Sequence, residues 1–187
     1  VGYFDPSFTN KPTSDYKAVS IWGLYGRERH CIKMFTRQAP LHDVYAWMWE
    51  FQKQLPGGVG IHWYIENQFY NDPFTTGLVE FNRSHKAHLY IMRDMRDKPD
   101  KYMRIVAMEP IYYLGEVAYN AAEIHNPDMI TGLNQLKGIE PGYKTPDDAP
   151  DAAEGAWYYL QQHIHSEDGS TGRTGRTTNR QRRSRRR

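Results

Sequence analysis

The chain has 187 residues, enough for one domain with extensions and for a core that needs no covalent staple. Its single cysteine, Cys31, excludes a disulfide framework or cysteine-based zinc site and suits a reducing compartment, and no apolar run reaches the about 18 residues of a membrane span. The formal net charge of +2 hides a split, because residues 166–187 hold eight arginines and two acids, net +6, which leaves 1–165 at −4.

Val1 to Asp5 reads as a short strand, followed by a Ser-, Asn- and Pro-containing loop from Pro6 to Tyr16. The chain opens on Val1 rather than Met, with Asp5 almost at the terminus, so a domain excised from a larger protein is expected. Lys17–Tyr25 and Arg29–Thr36 form two strands joined by a Gly26-Arg27 turn. Pro40 sits at a helix start. Val44, Trp47, Met48 and Phe51 then recur at helical spacing up to Leu55, and Pro56-Gly57-Gly58 stops the run. Ile61–Glu66 is a fairly apolar strand. Asp72 is read as an N-cap with Pro73 at the first helical position of a helix to Ser84. His88–Met92 is the next strand. Pro99–Tyr113 is one helix that Pro110 should bend or end, and Gly115–Tyr119 is a short strand. Asn126–Leu136 is a helix. Asp148 or Asp151 caps a last helix through His165. The pattern is α/β with a mixed sheet flanked by helices over 1–165, and a disordered arginine-rich tail over 166–187.

Three acids sit at the punctuation of this pattern. Asp5 and Glu66 end strands, and Asp148 opens a helix. Strand ends are where open α/β sheets build sites. Carboxylates gathered there need a cation, and an all-oxygen set suits Mg²⁺ or Mn²⁺. The chemistry expected of such a set is metal-assisted attack on a phosphodiester, with two ions stabilising the attacking and leaving oxygens. Singly, each acid has a plainer reading: a turn opener at Asp5-Pro6, and an N-cap or dipole partner at Asp147, Asp148 and Asp151. The histidines show no zinc spacing, and no phosphate-binding G-x-x-x-x-G-K-[ST] loop is present.

Several fragments share an order with one family. They are Phe4-Asp5-Pro6, Ser14-Asp15-Tyr16-Lys17-Ala18 leading into Ile21-Trp22-Gly23, the helix from Pro40, and Ile65-Glu66-Asn67. Asp100-Lys101-Tyr102-Met103-Arg104-Ile105, Glu109-Pro110 to Gly115-Glu116-Val117, and Asp147-Asp148-Ala149-Pro150-Asp151-Ala152 complete the series. From Gly2 to Leu160 the chain resembles the C-terminal nuclease domain of tailed-bacteriophage terminase large subunits. The resemblance implies an RNase H-like fold with a five-stranded core sheet, and a metal-dependent endonuclease that cuts concatemeric double-stranded DNA during packaging. It implies Asp5, Glu66 and Asp148 as catalytic metal ligands for two Mg²⁺ or Mn²⁺ ions, with Asp5 bridging them, and Asp147 as a further acid beside them. Which of Asp147 and Asp148 touches metal stays open. The family's second acid is often Asp where Glu66 stands, and Pro150 replaces a usual apolar residue. The resemblance also implies portal, procapsid and small-subunit partners, an ATPase outside this chain, and a place in the host cytoplasm.

Lys101 and Arg104 lie three apart on one helix face. They either hold DNA phosphates beside the site or form a solvated basic face with Asp97 and Asp100. The tail, with Arg182, Arg183, Arg185 and Arg186, either neutralises DNA phosphates, docks an acidic partner, or merely solubilises. Two other functions remain open on the sequence: an RNase H-like resolvase or mobile-element nuclease, and a non-catalytic DNA-binding or portal-docking module.

Overall fold

β1 (Gly2–Pro6) is buried along its whole length, as a strand covered on both faces must be. A computed structural model describes residues 1–6 and 16–170, without the side chains of 164–170. The expected loop over 7–15, with Asp15, and the arginines of the tail, Arg182, Arg183, Arg185 and Arg186 among them, lie outside the described residues. β1 pairs antiparallel with β2 (Lys17–Tyr25), which turns at Gly26 (φ +59°) and pairs antiparallel with β3 (Glu28–Arg37). On its other side β1 runs parallel to β4 (Trp63–Glu66), and β4 runs parallel to β5 (Ile91–Asp94). β6 (Val117–Tyr119) joins parallel to β3, giving a six-stranded sheet in the order β5-β4-β1-β2-β3-β6. The mixed α/β, RNase H-like architecture is as expected, with one strand more than the five implied by the resemblance.

Alternate residues of β1 feed two cores. Phe4 points to one face, where it joins Val19, Ile21, Phe35, Trp63 and Ile65 beneath α1 (Leu41–Lys53) and α2 (Asp72–His85). Tyr3 points to the other, with Ala18, Trp22, Cys31, Met34 and Tyr64, beneath α5 (Pro127–Lys137) and α6 (Asp148–Ser170). This period-two alternation is what a two-sided central strand requires. Cys31 is buried, and its thiol is pushed up by burial, so it behaves as a small apolar residue.

Several element boundaries differ from the sequence expectation. β4 starts at Trp63 rather than Ile61, and α6 runs on to Ser170, past His165 and into the segment expected to be disordered. Asn71, not Asp72, caps α2, its side chain accepting from the Phe74 amide at 3.3 Å, with Pro73 one position further in. β5 starts at Ile91 and ends at Asp94, because the Asn82 side chain takes both backbone groups of Leu89 (2.8 and 3.0 Å) that a strand neighbour would otherwise use. The expected single helix is two, α3 (Lys101–Val106) and α4 (Glu109–Tyr113). Pro110 has no amide to give a preceding turn, but it fits the start of α4, where no donor is needed.

Candidate active site

β1, β4 and β5 run parallel, so their carboxyl ends share one edge of the sheet. Phe4 is in register with Ile65, which sets Asp5 beside Glu66, and Glu66 is in register with Asp94. Three strand ends thus deliver three acids in a row. The face over this row is covered by the first turns of α6. Ala149, Ala152, Ala153 and Ala156 are its buried contact residues, and a Cβ on Gly155 would stand only 2.5 Å from the Tyr3 ring. Small side chains let the helix lie close to β1, and that approach carries Asp148 and Asp151 to Asp5.

Asp5 is 5% exposed, and its Oδ2 has no hydrogen-bond partner. Burial and the negative charges of Asp151, Asp148 and Glu66 raise its pKa well above the usual carboxylate range, against the pull of Lys101. Asp148 is pushed up to about 6 by burial and by Asp147, again opposed by Lys101. Among the described residues neither Asp5 nor Asp148 has an ion-pair partner.

The surrounding charges form an unbroken alternating chain. Glu66 pairs with Lys98 (3.1 Å), Lys98 with Asp94 (3.4 Å), Asp94 with Arg96 (2.9 Å), and Arg96 with Glu154 (2.8 Å). Glu154 pairs with Arg104, Arg104 with Asp151 (2.7 Å), Asp151 with Lys101 (3.2 Å), and Lys101 with Asp147 (3.2 Å). The chain runs from one candidate ligand, Glu66, to another, Asp147, and binds the β5 end and α3 to α6. Burial alone would raise Asp151, yet Lys101 and Arg104 more than reverse this and hold it below the usual range. Asp94 is likewise held low despite its burial, by hydrogen bonds from Arg96, Tyr3 and Tyr159. The Tyr143 hydroxyl donates to Asp147, which is thereby held from two sides.

The sequence-predicted residues fall into three positions. Asp5, Glu66 and Asp148 stand around the strand ends, with Asp147 at the margin beside Lys101. Lys101 lies between Asp147 and Asp151 with its side chain part-exposed. Arg104, expected at a phosphate-binding or solvated face, is internal: its side chain is 7% exposed and is committed to Asp151 and Glu154 rather than to Asp97 or Asp100. Asp94, Arg96, Lys98 and Glu154 were missed from sequence. Placing β5 at His88–Met92 rather than Ile91–Asp94 hid Asp94 in the charge-dense Arg93-Asp94-Met95-Arg96-Asp97-Lys98 run. Asp151, read as helix decoration, is a buried ion-pair partner.

A divalent cation suits this donor set in kind, since every candidate ligand offers oxygen and Asp5 presents a buried oxygen with no partner. Among the described residues, however, no three or more His, Cys, Asp or Glu side chains are grouped so as to hold an ion as they lie. Lys98 is paired with Glu66 and Asp94, and Lys101 with Asp147 and Asp151, while Asp5 and Asp148 keep no ion-pair partner among the described residues.

No family model and no curated protein matches the chain. Solved structures do. The human cytomegalovirus terminase nuclease domain superposes with a TM-score of 0.54 at 14% identity, over 89% of this chain and 84% of that one. A Mn-soaked structure of the same domain gives 0.55 at 12% identity, over 88% and 83%. The large terminase of a thermophilic bacteriophage gives 0.51 at 14% identity, over 87% of this chain but 40% of that one. The fold is that of terminase nuclease domains. The chain spans about two fifths of the phage large terminases it matches.

Proposed function

We propose that this chain is the nuclease module of a viral DNA-packaging terminase, a divalent-metal-dependent endonuclease acting on double-stranded DNA. The observation that carries the reading is the buried, partnerless Oδ2 of Asp5 at the end of β1, facing the charges of Asp151, Asp148 and Glu66. An anionic pocket of this kind is a costly arrangement unless a cation completes it. The fold's likeness to terminase nuclease domains, one of them soaked with Mn, supports the same reading.

Asp5, Glu66 and Asp148 are the proposed ligands of Mg²⁺ or Mn²⁺, two ions in the full site, with Asp147 as an accessory acid. Such an ion supplies Lewis-acid stabilisation of the charge that gathers on the phosphodiester oxygens during hydrolysis. The protein's own part is positioning. Arg104 and Lys101 hold Asp151 and so fix the start of α6, which places Asp148 over Asp5. Tyr3 and Tyr159 donate to Asp94 at 2.6 and 2.8 Å and fix the end of β5. Lys101, with a side chain 38% exposed, is the described cation placed to meet a DNA phosphate at the site, whereas Arg104 serves the frame. The tail arginines, Arg182, Arg183, Arg185 and Arg186, are proposed to add sequence-independent phosphate contacts or to dock an acidic packaging partner. A portal, a small terminase subunit and a separate ATPase domain belong to the same proposal.

Plasmid nicking in Mn²⁺ tests the assignment. Asp5→Asn removes a ligand charge at nearly constant volume and should abolish cleavage while the circular dichroism matches wild type. Full activity in a folded Asp5→Asn variant would overturn it.

A further inference from the structure

The candidate ligands do not share one electrostatic state. Asp5 and Asp148 have no ion-pair partner among the described residues, whereas Glu66 already has a cation in contact, the Lys98 ammonium at 3.1 Å. That ammonium is 10% exposed at the side chain and is fully engaged. It donates to the Tyr3 hydroxyl at 2.8 Å and lies 3.4 Å from Asp94 Oδ2, so its three donors face three oxygens. Asp94 does not need it. Arg96 grips both Asp94 oxygens at 2.9–3.0 Å, and Tyr3 and Tyr159 each donate another hydrogen bond. The acid that depends on Lys98 for neutralisation is therefore Glu66, one of the proposed metal ligands. Lys98 itself sits in the segment between β5 and α3 that is neither helix nor strand, the part of this frame best able to let a side chain go.

We propose that Lys98 gates the second cation position: its ammonium stands in for a divalent ion at Glu66, so that one ion is received at Asp5 and Asp148 and another only as Lys98 leaves Glu66. The inference rests on the metal-site reading above and adds an order of filling to it. A displaced ammonium needs another anion, and a DNA phosphodiester at the site supplies one. Substrate and second ion then enter together, and the chain without DNA is held in a singly loaded state.

Calorimetric titration of the whole chain with Mn²⁺ in the absence of DNA, with unbound Mn²⁺ counted by electron paramagnetic resonance, reads this directly. Wild type should bind one ion, and a second at least about tenfold more weakly, the size of an ordinary coupling between sites. Lys98→Met should tighten the second step about tenfold, because the competing charge is gone while Asp94 keeps Arg96 and both tyrosines. Lys98→Gln, which retains a hydrogen bond to Glu66 without the charge, gives the same readout should Lys98→Met fail to fold. Glu66→Gln should keep the first step and lose the second. Two equal steps in wild type, or a second step unmoved in the folded lysine variants, would overturn the gate and leave the metal centre standing. No Mn²⁺ binding by wild type at millimolar ion would overturn both.

Discussion

On one face the sheet meets large apolar side chains, with Tyr45, Met48, Phe74, Leu78 and Phe81 of α1 and α2 packed on Phe4, Val19 and Ile65. On the other it meets the alanines of α6, with Gly155 against Tyr3, and then the charged chain from Glu66 to Asp147. The first face is held by volume. The second has large side chains as well, Met129 and Trp157 among them, but adds close approach and paired charge, and the protein keeps its unneutralised acids there. A helix with bulky residues at the Ala152 and Gly155 positions would stand further from β1, and Asp148 would no longer reach Asp5. Packing on this face is thus part of the site, whereas packing on the other is support at a distance.

Substitutions on the two faces should therefore separate stability from ion binding. Phe74→Ala empties a site that is fully buried and should cost about 3–5 kcal/mol in urea unfolding. The folded fraction should still bind Mn²⁺ with wild-type affinity, and a large loss of affinity would show that the faces are not independent. Gly155→Ala places a Cβ 2.5–2.7 Å from three Tyr3 ring carbons and should cost about 1–3 kcal/mol, the usual range for overpacking. Although the smaller perturbation, it should weaken Mn²⁺ binding strongly, because Tyr3 and α6 must part. Unchanged affinity there would break the comparison.

A third effect concerns pH. Burial and Asp147 raise Asp148 from 3.8 to about 6. In that window the folded state holds more protons than the unfolded one, so the stability it contributes is present at low pH and is lost as pH rises from about 4 to 6. Asp148→Asn should remove this fall, gaining up to about 3 kcal/mol on wild type between pH 4 and 7 without divalent ions. Saturating Mn²⁺ should reverse the ranking at pH 7. Parallel pH profiles for the two proteins would contradict the assignment of Asp148 as a buried, unpaired acid.

Much of this arrangement was legible from sequence, for physical reasons that also mark the boundary. Gly26 announces the β2–β3 hairpin, and Val44, Trp47, Met48 and Phe51 announce α1, because turn geometry and helical period act within a few residues. Asp5, Glu66 and Asp148 were legible as acids at the ends of elements. Asp94 was not, because the start of β5 is decided by the Asn82 side chain, seven residues before Leu89 at the end of α2, a side-chain contact that strand propensity does not register. The roles of Lys98 and Arg104 were hidden by distance along the chain. Their partners Glu66 and Glu154 lie far along the chain, and a basic pair three apart on a helix looks solvent-facing until α6 is placed over it. The Asn71 cap was missed by one residue, since Asn71 and Asp72 are both capping types and only the backbone at the helix start distinguishes them.

The central claim is that the acids of β1, β4 and α6 form a cation site built on a partnerless Asp5. Anomalous scattering from Mn²⁺-soaked crystals of the chain tests it most directly. A peak within about 2.0–2.6 Å of Asp5 Oδ2 and shared with Asp148 is the predicted result. A map with no peak at Asp5, or with ions bound only elsewhere, would contradict it.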